Sequence, residues 1–449
     1  IKDSVITSKT LDLNAKLIKS SITLLQNYDS IIPLERLDTL KIASLVIGES
    51  GNSFQMMLNN YAAVDSFSIS ENANIKQQAI ILDKLSEYNL VIVSIHKSNA
   101  NAWKDYKILK NTDIFLQTIA LQSKVVLTIF ANPYSINSLL FTDNFDAMLL
   151  GYQNSKLAQD KVAQSVFGGL SINGAIPVST KHFNIGSGIK TDSIRISYSN
   201  LLNSEFNPIL KYKIDSTISS AILEKAIPGC QILIAKEGQV VFKESYGYHT
   251  YDNKIKVKDS DVYDLASITK IGATVPALMK LVDEGVLCVD STLGNYLNLE
   301  GSNKNDLIIR EVLTHQSKLL PWIPFYRQTL EQESNSKYMQ LRDTLYSKLK
   351  SDIFSVNVAD SLYLHFSFPD SIIQQVKDSE LLDKKEYIYS DLGYYLLKEI
   401  IENITNQDLD NYLDENFYQK LGMENLCFLP KNHLSDNRIT PTEKDYEFR

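Results

Sequence analysis

Only three cysteines occur in the 449 residues, Cys230, Cys288 and Cys427, and no two stand in C-x-x-C spacing. That argues against a disulfide framework or a cysteine metal site, and predicts free thiols buried among their apolar neighbours. No run of 18 apolar residues is present, so no segment reads as a membrane span. Concentrated positive charge is lacking too. The formal net charge is -8 and Lys and Arg are scattered rather than striped, which argues against a nucleic-acid partner. Neither G-x-G-x-x-G nor G-x-x-x-x-G-K-[ST] occurs, and Gly48-Glu-Ser-Gly51 reads as a plain strand-to-helix turn. No cofactor is expected.

What is present is ordinary for a globular protein, 44% hydrophobic and 22% charged, with length for two or three domains of roughly 150 residues. The chain opens on Ile1 and closes on Phe448-Arg449, and neither end has terminal character. It is expected to be a piece of a longer protein.

The first half alternates strands and helices. Residues 11–25 read as a helix with Leu13, Leu17, Ile18, Ile22 and Leu25 on one side. Residues 41–48, 89–95, 124–130 and 146–152 are continuous apolar strands, which implies a parallel sheet covered on both faces. Asn132-Pro133 would turn the chain after the third strand. Residues 186–208 are polar and irregular and read as a linker. Beyond it come a helix at 214–224 and two strands, 230–235 and 240–246, joined by a Gly-bearing turn into a hairpin.

Chemistry concentrates in Asp264-Leu-Ala-Ser267-Ile-Thr-Lys270. Ser-x-x-Lys occurs five times, at Ser94, Ser187, Ser267, Ser334 and Ser347. Ser94 lies within a strand, Ser187 between glycines, and Ser334 and Ser347 in polar sequence. Only Ser267 opens an amphipathic helix, through Ile271, Val275, Leu278, Met279, Leu281 and Val282 to Gly285. Residues three apart share a helix face. Lys270, pushed toward neutrality by burial, could then draw the proton from Ser267, with helix N-terminal amides beside it to hold an oxyanion. Three further segments support the site: Leu313-Thr-His315, Tyr387-Ile-Tyr389-Ser-Asp391 and Leu421-Gly-Met423. His315 by itself reads as a core histidine bonded to backbone, and Asp391 as an N-cap.

In this order the motifs resemble class C β-lactamases and penicillin-binding-protein-like serine hydrolases. The resemblance implies Ser267 as nucleophile, Lys270 as its activator, Tyr389 as partner base and Asp391 at a substrate-binding position usually held by Asn. An ionised Asp accepts but cannot donate, which departs from β-lactam handling. Ser317-Lys318-Leu319 replaces Ser-Gly-Leu and should alter a turn. An aromatic insertion at about 325–380 reads either as shaping the substrate entrance or as a helical cover with its own small core. The family's third box, Lys-or-His-x-Gly on a strand, finds no counterpart, since Lys420-Leu-Gly422 follows a helix.

The first half is similar to the C-terminal α/β sandwich of glycoside hydrolase family 3, of β-N-acetylhexosaminidase type, on Ser21 to Asn27, Ile32-Pro-Leu34, Phe130 to Tyr134, Gly151-Tyr-Gln153 and Gly174 to Val178. The family's barrel has no counterpart here and is expected elsewhere in the parent chain.

The expected architecture is α/β: a doubly wound sandwich (1–185), a linker (186–208) and an incomplete β-lactamase-like α+β domain (209–449). The expected activity is serine acyl hydrolysis on a small acyl, peptide or amino-sugar substrate from cell wall, in the periplasm or envelope. The alternatives are a binding module without turnover and a scaffold for the barrel.

Overall fold

The computed structural model describes residues 8–48, 51–98, 103, 106–199, 209–332 and 339–442. Glu49 and Ser50 of the first turn, residues 200–208 of the expected linker, Ser334, Tyr338 and both chain ends lie outside the described residues. The chain forms two compact units, residues 1–262 with 417–439, and residues 263–416 with 440–449.

In the first unit, α1 (Ser8–Ser21) leads into β1 (Thr23–Asn27), followed by β2 (Ile42–Gly48), α2 (Asn52–Leu58), β3 (Val64–Ile69), α3 (Ile75–Leu85), β4 (Leu90–His96), α4 (Lys110–Ala120), β5 (Lys124–Phe130), β6 (Ala147–Leu150) and α5 (Lys156–Val166). The strands order as β1-β6-β5-β4-β2-β3. All neighbours are parallel except β1, which runs antiparallel to β6. Side chains alternate across a strand, so Leu90 and Ile92 enter one core while Val91 and Val93 enter the other. Both faces are therefore dry, which explains the unbroken apolar strands. Helix starts are set locally. Asn74 accepts from the Gln77 backbone N–H at 3.0 Å while the Gln77 side chain accepts from Asn74 N–H at 3.0 Å, a capping box at α3. Asn132 supports its turn by accepting from Tyr134 N–H at 3.1 Å.

The expected helix over 11–25 is corrected: it stops at Ser21, Leu25 belongs to β1, and Leu13 and Leu17 are exposed. Ile18 is buried as expected, and Ala15 beside it. β1 and β3 were missed because β1 is only five residues long and β3 alternates with polar residues.

Residues 187–199 lack regular structure apart from β7 (Ser197–Tyr198), yet they are strapped to the sandwich. Arg195 donates to the carbonyls of Leu34, Phe167 and Glu35 at 2.5, 2.8 and 3.0 Å, and β7 pairs parallel with β9. After α6 (Ile209–Leu223), β8 (Gly229–Lys236) and β9 (Gln239–Gly247) form the expected antiparallel hairpin. Its two-residue turn, Glu237-Gly238, has φ of 52° and 73°, the positive values a type I′ turn requires.

The second unit holds α7 (Val275–Asp283), α8 (Ile309–Leu313), β10 (Leu330–Gln332), β11 (Met339–Leu341), β12 (Tyr346–Ser347), β13 (Val356–Ala359), β14 (Leu362–Leu364), α9 (Phe368–Asp378), α10 (Leu392–Thr405) and α11 (Leu409–Leu413). The helical cover expected for the aromatic insertion is corrected: β10 pairs antiparallel with β11, β12-β14-β13 form a small antiparallel sheet, and among the described residues the helical parts are a 3-10 turn, Phe325–Thr329, and α9. Ser347, expected in strandless polar sequence, ends β12. The thiols are not buried as expected. Cys288 is exposed, and Cys230 and Cys427 are half-buried. Among the described residues no helix is long and apolar enough to cross a membrane.

Candidate active site

Ser267 sits in a single 3-10 turn, Ala266–Ile268, which runs through a π-helical turn, Lys270–Thr274, into α7. The turn is bent tightly before the serine. Ala266 has φ of 43°, and its N–H is held by Asp264 Oδ1 at 2.8 Å. The helix is anchored by Ala273, Ala277, Leu278 and Leu281, all buried. Ile271, Met279 and Val282, expected on that face, are exposed; Met279 stands two residues from both Ala277 and Leu281, on the far side of α7.

The tyrosine segment is fastened by residues 313–321. His315 O accepts from Ile388 N–H at 3.0 Å, His315 Nδ1 from Ser390 N–H at 3.2 Å, and Pro321 O from Asp391 N–H at 2.9 Å. Ser390 Oγ donates to Leu320 O at 2.6 Å. His315 is thus bonded to backbone as expected, though half-buried rather than deep in a core. Gly393 has no room for a side chain, since a Cβ would lie 2.4 Å from Val312 Cγ1. Lys318, standing where the resemblance implies glycine, has φ of 64°. The expected change of turn is corrected: lysine adopts the left-handed conformation that glycine would.

These supports bring the four candidate residues together. Lys270 Nζ lies 3.2 Å from Ser267 Oγ and 2.6 Å from Asp391 Oδ1. It also lies 5.0 Å from the centre of the Tyr389 ring and 5.4 Å from that of Tyr394. The neighbouring Lys270 ammonium first, and then the Ser267 hydroxyl, hold the Tyr389 hydroxyl below its ordinary value. For Lys270, burial works downward, but the hydrogen bonds and charges of Asp391 and Tyr389 outweigh it and raise the amine. A lysine neutralised by burial is therefore corrected to an ammonium. The reason is Asp391, which occupies the N-cap position of α10 without making a side-chain cap and turns its carboxylate to Lys270. His315, its ring 4.5 Å from that of Tyr389, is pushed below its ordinary value by burial and by the Lys270 charge.

Sequence reading missed Tyr394, whose hydroxyl donates to Leu313 O at 3.2 Å and whose ring faces Lys270. Its signal was the three-residue step from Asp391 at a helix start. The arrangement is chemically complete for deprotonating a hydroxyl: an acceptor phenol, a fixed cation to stabilise its ionised form, and an exposed serine beside both.

Residues 214–434 match the family model described as Beta-lactamase. A protein of Escherichia coli O157:H7 named "Putative D-alanyl-D-alanine carboxypeptidase" is 29% identical over 239 residues, covering 50% of this chain and 48% of that protein. The N-acetylmuramyl-L-alanine amidase of Bacillus subtilis is 28% identical over 232 residues, 49% of this chain and 46% of the relative. The chain thus spans about half the length of the curated relatives it matches. Among solved structures, a glycoside hydrolase family 3 β-N-acetylglucosaminidase from Paenibacillus matches at 16% identity and a TM-score of 0.31, over 38% of this chain and 32% of that one. The protein is a mixed α/β chain whose C-terminal part, residues 214–434, carries a β-lactamase-family domain.

Proposed function

We propose that the β-lactamase-family domain is a serine acyl hydrolase in which Ser267 is the nucleophile and Tyr389 the general base. The observation that carries this reading is the convergence of Ser267, Lys270 and Tyr389, with Lys270 Nζ 3.2 Å from Ser267 Oγ. Tyr389, ionised by the neighbouring ammonium, takes the Ser267 proton as Oγ bonds to the acyl carbon. The leaving group then takes that proton from Tyr389 as its bond to the acyl carbon breaks; water, giving a proton to Tyr389, bonds to the acyl carbon, and Ser267 Oγ takes that proton back as its own bond to the acyl carbon breaks. Lys270 stays charged throughout, held by Asp391. One Asp391 oxygen serves Lys270 and neither can donate while ionised, so a substrate carbonyl finds no donor there.

Relatives named for a D-alanyl-D-alanine carboxypeptidase and a muramyl-alanine amidase favour acyl groups of cell-wall peptides and an envelope location. In the same reading, residues 1–185 are a family 3 glycosidase sandwich, 186–208 a connector and 209–449 the hydrolase domain. Support for the sandwich is the motif set from Ser21 to Val178 on a parallel, doubly covered sheet.

The test is labelling of the intact protein with a fluorophosphonate probe. Labelling is expected at Ser267, and Ser267→Ala should abolish it. Absence of labelling, or labelling that survives the substitution, removes the reading.

A further inference from the structure

The first compact unit contains a cavity of about 530 Å³ walled by α1, the end of α5, the strap 193–199 and the β8–β9 turn. Its lining is unusually cationic for a chain of net charge -8. Five cations, Lys16, Lys19, Lys161, Arg195 and Lys236, meet two carboxylates, Asp12 and Glu237. Both carboxylates are engaged by lining lysines, Asp12 with Lys16 at 2.7 Å and Glu237 with Lys236 at 3.7 Å. Among the described residues no carboxylate lies within ion-pair distance of Lys19, Lys161 or Arg195.

Lys161 is the least expected of the three. It is 7% exposed, and its ammonium donates to one carbonyl, Tyr198 O, at 3.1 Å, with two further protons to satisfy. Burial pushes its amine down, Asp160 works against that, and the charge of Lys19 lowers it again. A buried ammonium with one acceptor is costly unless further acceptors complete it. Arg195 is held rigid by three backbone carbonyls, so its remaining N–H groups are presented without entropic loss on binding. Serine hydroxyls of Ser171, Ser193 and Ser199 line the same space and can serve a hydroxylated ligand.

We infer that this cavity is a binding site for a small organic phosphate, its dianion set among Lys19, Lys161 and Arg195. The dianion would give an ion-pair partner to three cations that have none among the described residues, and lysine and guanidinium donors suit phosphate oxygens. The site is separate from Ser267 in sequence and chemistry, so it stands whether or not the hydrolase reading does.

Isothermal titration of the intact protein with glucose 6-phosphate, inorganic phosphate and glucose tests it. The ester should bind most tightly, inorganic phosphate more weakly and glucose not at all, with affinity falling as salt is raised. Lys19→Glu, an exposed substitution that spares the core, should weaken ester binding by about tenfold or more; Lys161→Met should weaken it further. No heat with either phosphate, equal binding of glucose, or an unchanged affinity in Lys19→Glu would overturn the site. Inorganic phosphate binding as tightly as the ester would overturn its assignment to an organic ligand.

Discussion

At the scale of single residues, the candidate site turns on one carboxylate. Asp391 raises Lys270 and, by its own charge, opposes ionisation of Tyr389. Replacing it with Asn removes both effects at once. Lys270 then loses its proton at lower pH, and Tyr389 ionises at lower pH. If Tyr389 must be ionised and Lys270 protonated, both limbs of the kcat/KM profile should move toward acid in Asp391→Asn. A profile that falls in height but keeps its position would show that Asp391 does not control the pair. Lys318 offers a stability test. Left-handed backbone costs a non-glycine residue roughly 1–2 kcal/mol, while glycine brings about 0.5–1 kcal/mol of extra unfolded-state entropy. Lys318→Gly should therefore stabilise by up to about 1 kcal/mol, measured by urea unfolding; destabilisation would mean the lysine side chain earns its place. That the candidate residues would meet was legible in sequence, because Ser267 and Lys270 are local and the tyrosine box has its own pattern. The protonation of Lys270 was not. It depends on a carboxylate 121 positions away, which no local pattern reports.

At the scale of elements, apolar strands buried on both faces were readable, since β2, β4, β5 and β6 show nothing but their composition. Helix facing was less so. Leu281 and Met279 both looked like core residues of α7, yet Leu281 is 2% exposed and Met279 is 65% exposed. The two stand two residues apart in α7, about 200° round the helix, so they cannot share one buried face. The difference is measurable. Leu281→Ala should cost about 2–5 kcal/mol through its cavity, whereas Met279→Gln should stay within about 0.5 kcal/mol. Similar losses at both positions would contradict the observed facing. The insertion at 325–380 defeated pattern reading for another reason: β10 to β14 are two to four residues long, too short to show a period.

At the scale of the molecule, buried His96 and half-buried Asp160 push the acid stability of the sandwich in opposite directions. His96 lies stacked on Phe130 with ring centres 4.6 Å apart, and its nitrogens meet Asn154 Oδ1 and Ser94 Oγ at 2.9 Å each. Burial lowers its pKa from 6.5 to about 4. Below 6.5 the unfolded chain takes a proton that the folded chain refuses, so stability is full above 6.5 and is lost as pH falls toward 4. The loss approaches about 3 kcal/mol. Asp160 is raised by burial, against the pull of Lys156 and Lys161, from 3.8 to about 6. Here the folded chain takes the proton first, so stability is gained as pH falls from about 6 toward 3.8. The two slopes overlap and largely offset, which predicts a wild-type protein whose urea midpoint changes little from neutral to mildly acid pH. Each substitution unmasks the other group: His96→Gln should make the protein gain stability on acidification, and Asp160→Asn should make it lose stability. Urea titrations of both variants at neutral pH and near pH 4.5 decide the matter, because two variants that move in the same direction with pH cannot be reconciled with one group protonating early and the other late.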